Sequence, residues 1–156
     1  MAQMFNTISI DAKISEGMSI KCILDDGAFM PVKGHAEDAG IDLRTPDEVV
    51  LRRGENVSID TKVHMDIPCG YFGKIEGKSG LNVKHGIVSL GGVIDAHYAG
   101  TIVVKLYNFG DEDYRFKAGD KIAQLIIQPC ATPKLELTYI QDDSPRGEAG
   151  FGSTGK

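Results

Sequence analysis

Several short stretches of this chain gather residue types that bind or cleave phosphate. RGEAGFGSTGK, Arg146 to Lys156, joins four glycines to the Ser153 and Thr154 hydroxyls, a guanidinium and an ammonium. Glycines such as Gly152 let backbone N–H groups approach an oxyanion, and the planar fork of Arg146 matches phosphate geometry. The Walker spacing is absent, so this is not an ordinary P-loop. Residues 141–156 also read as a solvated end, because Phe151 is their only large hydrophobe and they cannot bury enough surface to fold alone. GKSGL, Gly77 to Leu81, sets Lys78 directly before Ser79, where a short helix is expected. Free N–H groups and the macrodipole at a helix start favour an anion, although Ser79 serves equally well as a simple N-cap.

GGVIDAHYAG, Gly91 to Gly100, reads as a hairpin with an acid, Asp95, and an aromatic, Tyr98, three residues on. An Asp in such a turn commonly bonds its own backbone, and a Tyr near a strand end commonly packs in the core. In AEDAGIDLR, Ala36 to Arg44, Asp42 reads as either a turn residue or an indirect metal ligand. His35, His64, His85 and His97 show no ligand spacing and are assigned to neither metal nor catalysis. Cys22, Cys69 and Cys130 are isolated and odd in number, which predicts reduced core thiols. Lys and Arg total 17 against 22 Asp and Glu, a net charge of -5 that argues against broad binding to nucleic-acid phosphates. An anionic ligand therefore needs a metal or a local cationic cluster.

The elements that must position these groups are mostly strands. The 156 residues suit one domain with its own core. No apolar run approaches a membrane span and the N-terminus has no basic, apolar leader, so the expectation is a cytoplasmic protein with no membrane partner. Nineteen glycines exceed the usual share, and 3.6-residue periodicity is scarce. In Thr101 to Asn108, Ile102, Val104 and Leu106 fall on one face, the period of a half-buried strand. Lys121 to Gln128 and Ser19 to Leu24 behave similarly. Further runs at Glu55 to Asp60, Val63 to Ile67, Tyr71 to Glu76, Ile87 to Leu90 and Glu136 to Ile140 alternate with Gly, Pro and Asp turns, as in a sandwich or barrel. One helix is predicted, Ser79 to Lys84, ending near Gly86. The chain thus divides into a β domain, residues 1–140, with 1–17 as a weakly patterned arm, and a tail, residues 141–156.

In order, AGIDL at Ala39 to Leu43, GKSGL, GGVIDAHYAG, GDKIAQLI at Gly119 to Ile126 and RGEAGFGSTGK resemble the five motifs of the trimeric dUTPase family, over about Ile20 to Lys156. The resemblance implies an all-β, jelly-roll-like fold with one short helix. It further implies a homotrimer with shared active sites, in a bacterial cell or a phage-infected host, hydrolysing dUTP to dUMP and pyrophosphate with Mg2+. Asp95 would be the catalytic carboxylate that activates water for attack on the α-phosphorus. Lys78, Ser79 and Gly80 would hold phosphate oxygens. Gln124 would contact the α-phosphate or a magnesium-bound water, and Asp42 would reach the metal through water. Tyr98 would pack under deoxyribose, and the backbone at Gly91 and Gly92 would face uracil. Arg146, Phe151, Gly152, Ser153 and Thr154 would close over the nucleotide in a neighbouring subunit, a span that sixteen extended residues cover at ~50 Å. The family usually carries Pro-Arg where this chain has Gly77-Lys78, which keeps the charge and loses the bidentate fork.

Two other readings stand beside this one. A dCTP deaminase shares the fold and part of the motif order, but this chain has Lys105 in the strand where those enzymes place a glutamate. A noncatalytic β-sandwich would use the same loops to bind a protein.

Overall fold

The computed structural model describes residues 18–138. The proposed arm at 1–17 and the tail at 141–156 lie outside the described residues. In chain order the elements are β1 (Lys21–Leu24), β2 (Gly40–Arg44), β3 (Val49–Leu51), β4 (Asn56–Asp60), β5 (Val63–Asp66) and β6 (Tyr71–Glu76). They continue with α1 (Ser79–His85), β7 (Ile87–Ser89), β8 (Val93–Ile94), β9 (Val103–Asn108), β10 (Tyr114–Phe116) and β11 (Lys121–Pro129). Four sheets form, ordered β2-β11-β6-β8, β4-β9-β7, β1-β5 and β3-β10, and every pairing is antiparallel.

Their inward side chains meet in one core, the β-sandwich that the glycine content and the alternation predict, with the jelly-roll-like character that the family resemblance implies. Ile102, Val104 and Leu106 are all essentially inaccessible, and Leu43, Leu51, Ile75, Ile87, Phe116, Ile122 and Leu125 join them. Each such aliphatic or aromatic group contributes about 1.5–3 kcal/mol on burial. Asn108 is buried without cost in unmet hydrogen bonds. Its Nδ2 donates to the carbonyls of Leu51 and Glu112, and its Oδ1 accepts from the Gly110 N–H. It thereby fixes the turn between β9 and β10.

Several expectations change. Glu136 to Thr138 carries no strand, and the rest of that expected run lies outside the described residues. The thiols are free, but Cys69 is exposed and Cys22 and Cys130 are only partly buried, so they are not core residues. Cys22 lies on β1 and packs against the edge of the core, whereas Cys69 and Cys130 lie in the connections before β6 and after β11. Ser79 does not cap α1: Lys78 occupies the cap position with extended φ and ψ, no side chain bonds the helix start, and Ser79 is the first helical residue. At the other end Gly86 takes a left-handed φ of 66° and its N–H reaches the Asn82 carbonyl, the stop expected there. A Cβ at Gly86 would also lie 2.8 Å from the Gly110 nitrogen.

Candidate active site

The sheet β2-β11-β6-β8 carries most of the candidate residues. β11 lies between β2 and β6, so Gln124 stands opposite Asp42 on one side and Glu76 on the other. Opposed residues of an antiparallel pair project from the same face. The Gln124 amide then reaches the turn after β6, where Nε2 donates to the Gly77 carbonyl at 3.1 Å.

The pairing of β11 with β2 shifts register between Lys121 and Ala123. This bulge lets the consecutive residues Ile122 and Ala123 both turn inward, and it returns Lys121 to the face of Gln124. Asp42 is consequently approached from two directions. Lys121 Nζ lies 2.6 Å from Oδ2, and Lys78 Nζ pairs with Oδ1. The Asp42 side chain is only 5% exposed. Burial pushes its carboxyl pKa up, but hydrogen bonds and charge from Lys121 and Lys78 outweigh that and hold it below the usual value. Asp42 is therefore a buried strand residue rather than a turn residue. Lys121 received no role from the sequence, because the bulge that turns it toward Asp42 has no signature in the motif GDKIAQLI.

Lys78, Ser79 and Gln124, with Asn82 and Ser89, line a depression of about 400 Å³ beside the start of α1. A Cβ at Gly80 would meet nothing within 4 Å, so packing inside the chain does not demand glycine there.

Asp95 and Tyr98 sit elsewhere. Gly92 accepts the Ile75 N–H at 2.8 Å, and Ile94 pairs with Gly73, so the chain runs back along β6 before it reaches Asp95. Gly73 precedes Gly77 by four residues, ~13 Å of strand. Glycine is required at position 92, where φ is 114° and a Cβ would lie 2.6 Å from that of Ile75. Gly91 is left-handed as well, at φ 69°. Asp95 is exposed, and Tyr98, 47% exposed, lines a second depression of about 310 Å³ with His64, Asp66 and His97. One chain thus brings Asp42, Lys78, Ser79 and Gln124 together and holds Asp95 and Tyr98 apart from them. Arg146, Phe151, Gly152, Ser153 and Thr154 lie outside the described residues.

Among the described residues no three His, Cys, Asp or Glu side chains converge to hold a metal. The donors present are hard oxygens, the Asp42 carboxylate and the Gln124 amide. Their donor type fits an ion such as Mg2+, but both Asp42 oxygens are held by Lys78 and Lys121, so these residues would reach the ion only through its waters, with its other ligands coming from substrate phosphates. No helix among these residues is long and apolar enough to cross a membrane.

Fold and site together define a β-sandwich protein with a cationic cluster at the end of one sheet, suited to an anionic ligand. Residues 26–155 match the dUTPase family model, and the chain belongs to that family. The deoxyuridine 5'-triphosphate nucleotidohydrolase of Mus musculus is 40% identical over 146 residues, spanning 93% of this chain and 90% of that one. This relative is mammalian, and the expected bacterial or phage source gains no support from it. The Staphylococcus bacteriophage 80alpha dUTPase, solved with dUPNHPP, matches with a TM-score of 0.81 at 32% identity, covering 88% of this chain and 99% of that one. A mutant dUTPase from phage phi11 of S. aureus matches with a TM-score of 0.73 at 30% identity, over 79% of this chain and 98% of that one. Its structure is described as revealing the coordination of a structural Mg(II) ion.

Proposed function

We propose that this chain hydrolyses dUTP to dUMP and pyrophosphate by in-line attack of water on the α-phosphorus. The observation that carries this reading is family membership over nearly the whole chain, joined to a depression lined by Lys78, Ser79 and Gln124. Lys78 and the Ser79 hydroxyl hold phosphate oxygens, with Gly80 leaving room for them. Gln124, steered by its bond to Gly77, presents its remaining polar atoms to the α-phosphate or to a water. Asp95 is exposed and in no ion pair among the described residues, so its carboxylate is open to substrate and water. Bound Mg2+ would offset triphosphate charge and polarise the phosphoryl oxygens. Asp42 and Gln124 are the residues that would reach it through water.

The separation of Asp95 and Tyr98 from the Lys78 cluster supports a site completed between copies in a homotrimer. Asp95, Tyr98 under the deoxyribose, and the Gly91–Gly92 backbone facing uracil come from one copy. Lys78, Ser79 and Gln124 come from a second. The 141–156 tail closes over the nucleotide, with Phe151 on the base and Arg146, Gly152, Ser153 and Thr154 on the phosphates.

The deaminase reading is disfavoured at Lys105, an exposed β9 residue opposite Ser58, where a glutamate would be required. Incubation with Mg2+ and each deoxynucleoside triphosphate tests the proposal by its products. The expected result is dUMP and pyrophosphate from dUTP. Ammonia from dCTP, or no product from any nucleotide, would overturn it.

A further inference from the structure

A single imidazole ties down the segment that carries Asp95 and Tyr98. His64, on β5, points Nδ1 at the Ala99 carbonyl oxygen, 2.8 Å away, and Nε2 at Asp25 Oδ2, 3.2 Å away. Both partners are acceptors. A neutral imidazole has one N–H and satisfies only one of them, whereas the imidazolium donates to both. No role for His64 is legible from residue spacing, because its partners lie 35 and 39 residues away.

Backbone bonds fasten the same segment at two other points. The His97 N–H donates to the Ile67 carbonyl at 3.1 Å, and the Ile102 N–H to the Val63 carbonyl at 2.8 Å. Ala99 falls between these anchors, and there the tie is made by a side chain. Restraint is needed at this point. His97 is held at a left-handed φ of 60°, a region that L side chains rarely adopt. The Tyr98 ring also stands over Gly100, where a Cβ would lie 2.3 Å from the phenol oxygen. A displacement of Ala99 would therefore move Tyr98.

The charges around His64 favour its protonated form. Asp25 faces it from the turn after β1, and Asp60 from the end of β4. Lys21 of β1 shares the depression, while Asp66 and His97 face each other at 3.5 Å and Lys62 turns to Asp47. The Ala99 carbonyl, followed by the Asp25 hydrogen bond, raises the imidazole pKa above its ordinary value, with a smaller opposing effect of burial.

We infer that His64, as the imidazolium, is a positioning residue that clamps Ala99 to Asp25 and so holds Asp95 and Tyr98 in place for substrate. Its kinetic consequence rests on the dUTPase reading; the clamp itself does not. Because the folded imidazole is the more basic, the clamp is complete at lower pH and is lost as pH rises through the folded pKa of His64.

The test is a pH titration of the full chain from about pH 5 to about pH 9, following the His64 ring and the Ala99 and Gly100 amides by NMR. The amides are expected to shift with the midpoint of the ring. Asp25→Asn should move both midpoints to lower pH, and His64→Gln should remove the amide step. With dUTP, KM should rise several-fold across that midpoint in the wild type, and should be high and independent of it in His64→Gln. A purely structural histidine would lower activity at every pH and leave the profile unchanged. Amides that do not follow the ring, or a midpoint that Asp25→Asn leaves in place, overturn the inference. If the wild type hydrolyses no dUTP at any pH, the activity reading fails and the amide titration alone decides this one.

Discussion

The Gln124 side chain occupies the space that a side chain at Gly40 would fill: a Cβ on Gly40 would lie 2.0 Å from Gln124 Oε1 and 2.8 Å from its Cδ. Glycine at this position lets the amide lie flat across β2 and reach the Gly77 carbonyl. Gly40→Ala is expected to displace the amide and slow turnover by up to ~10²-fold, the cost of an ångström of misplacement at a reacting centre. The thermal midpoint should fall only modestly, since the side chain can swing outward. Steady-state kinetics and a melting curve check this, and a wild-type rate would remove Gln124 from the mechanism.

Asp42 gives a stability prediction with a defined sign. Its folded pKa is below the unfolded value, so its contribution is fully present above the unfolded pKa, about 3.9, and is lost as pH falls through the folded value. Asp42→Asn should destabilise the protein by about 1–3 kcal/mol near neutral pH. The difference from wild type should shrink toward zero in strong acid. Urea midpoints across pH measure it, and a difference that grows with acidity would contradict the assigned cause.

Asp95 and Lys78 offer a test of the shared site. Asp95→Asn should keep the fold, because the residue is exposed, and slow turnover by ~10²–10⁴. Lys78→Ala should also be poorly active. Unfolding and refolding a mixture of the two should restore activity, as some sites then draw an intact Asp95 from one copy and an intact Lys78 from another. A mixture no more active than its components would place both residues in the same copy's site.

Removal of residues 141–156 should leave the melting temperature nearly unchanged and abolish most dUTP hydrolysis. Phe151 is the only large hydrophobe in the segment, so it contributes little to the core, whereas Arg146, Ser153 and Thr154 are the groups expected to position the phosphates. A truncated protein with the full-length rate would make the segment a plain terminus.

What the sequence revealed depended on how local the cause was. β9 was legible because Ile102, Val104 and Leu106 alternate within a single run, and Gly86 because a left-handed stop belongs to glycine. β3 and β10 were not, since each is three residues long and exists through a pairing of Val49–Leu51 with Tyr114–Phe116 across more than sixty residues. Gly40 just before Asp42 suggests a turn when only the local residues are considered. The burial of Asp42 is possible only through Lys78 and Lys121, which approach from the start of α1 and from β11. The motifs named candidate residues, but not that Asp95 and Lys78 would stand at different ends of β6, because strand register does not appear in a motif.

In the proposed reaction water attacks the α-phosphorus of dUTP. Hydrolysis in ¹⁸O-enriched water, followed by mass spectrometry of both products, tests it directly. One ¹⁸O atom is expected in dUMP and none in pyrophosphate; label in pyrophosphate, with unlabelled dUMP, would place the attack at the β-phosphorus instead.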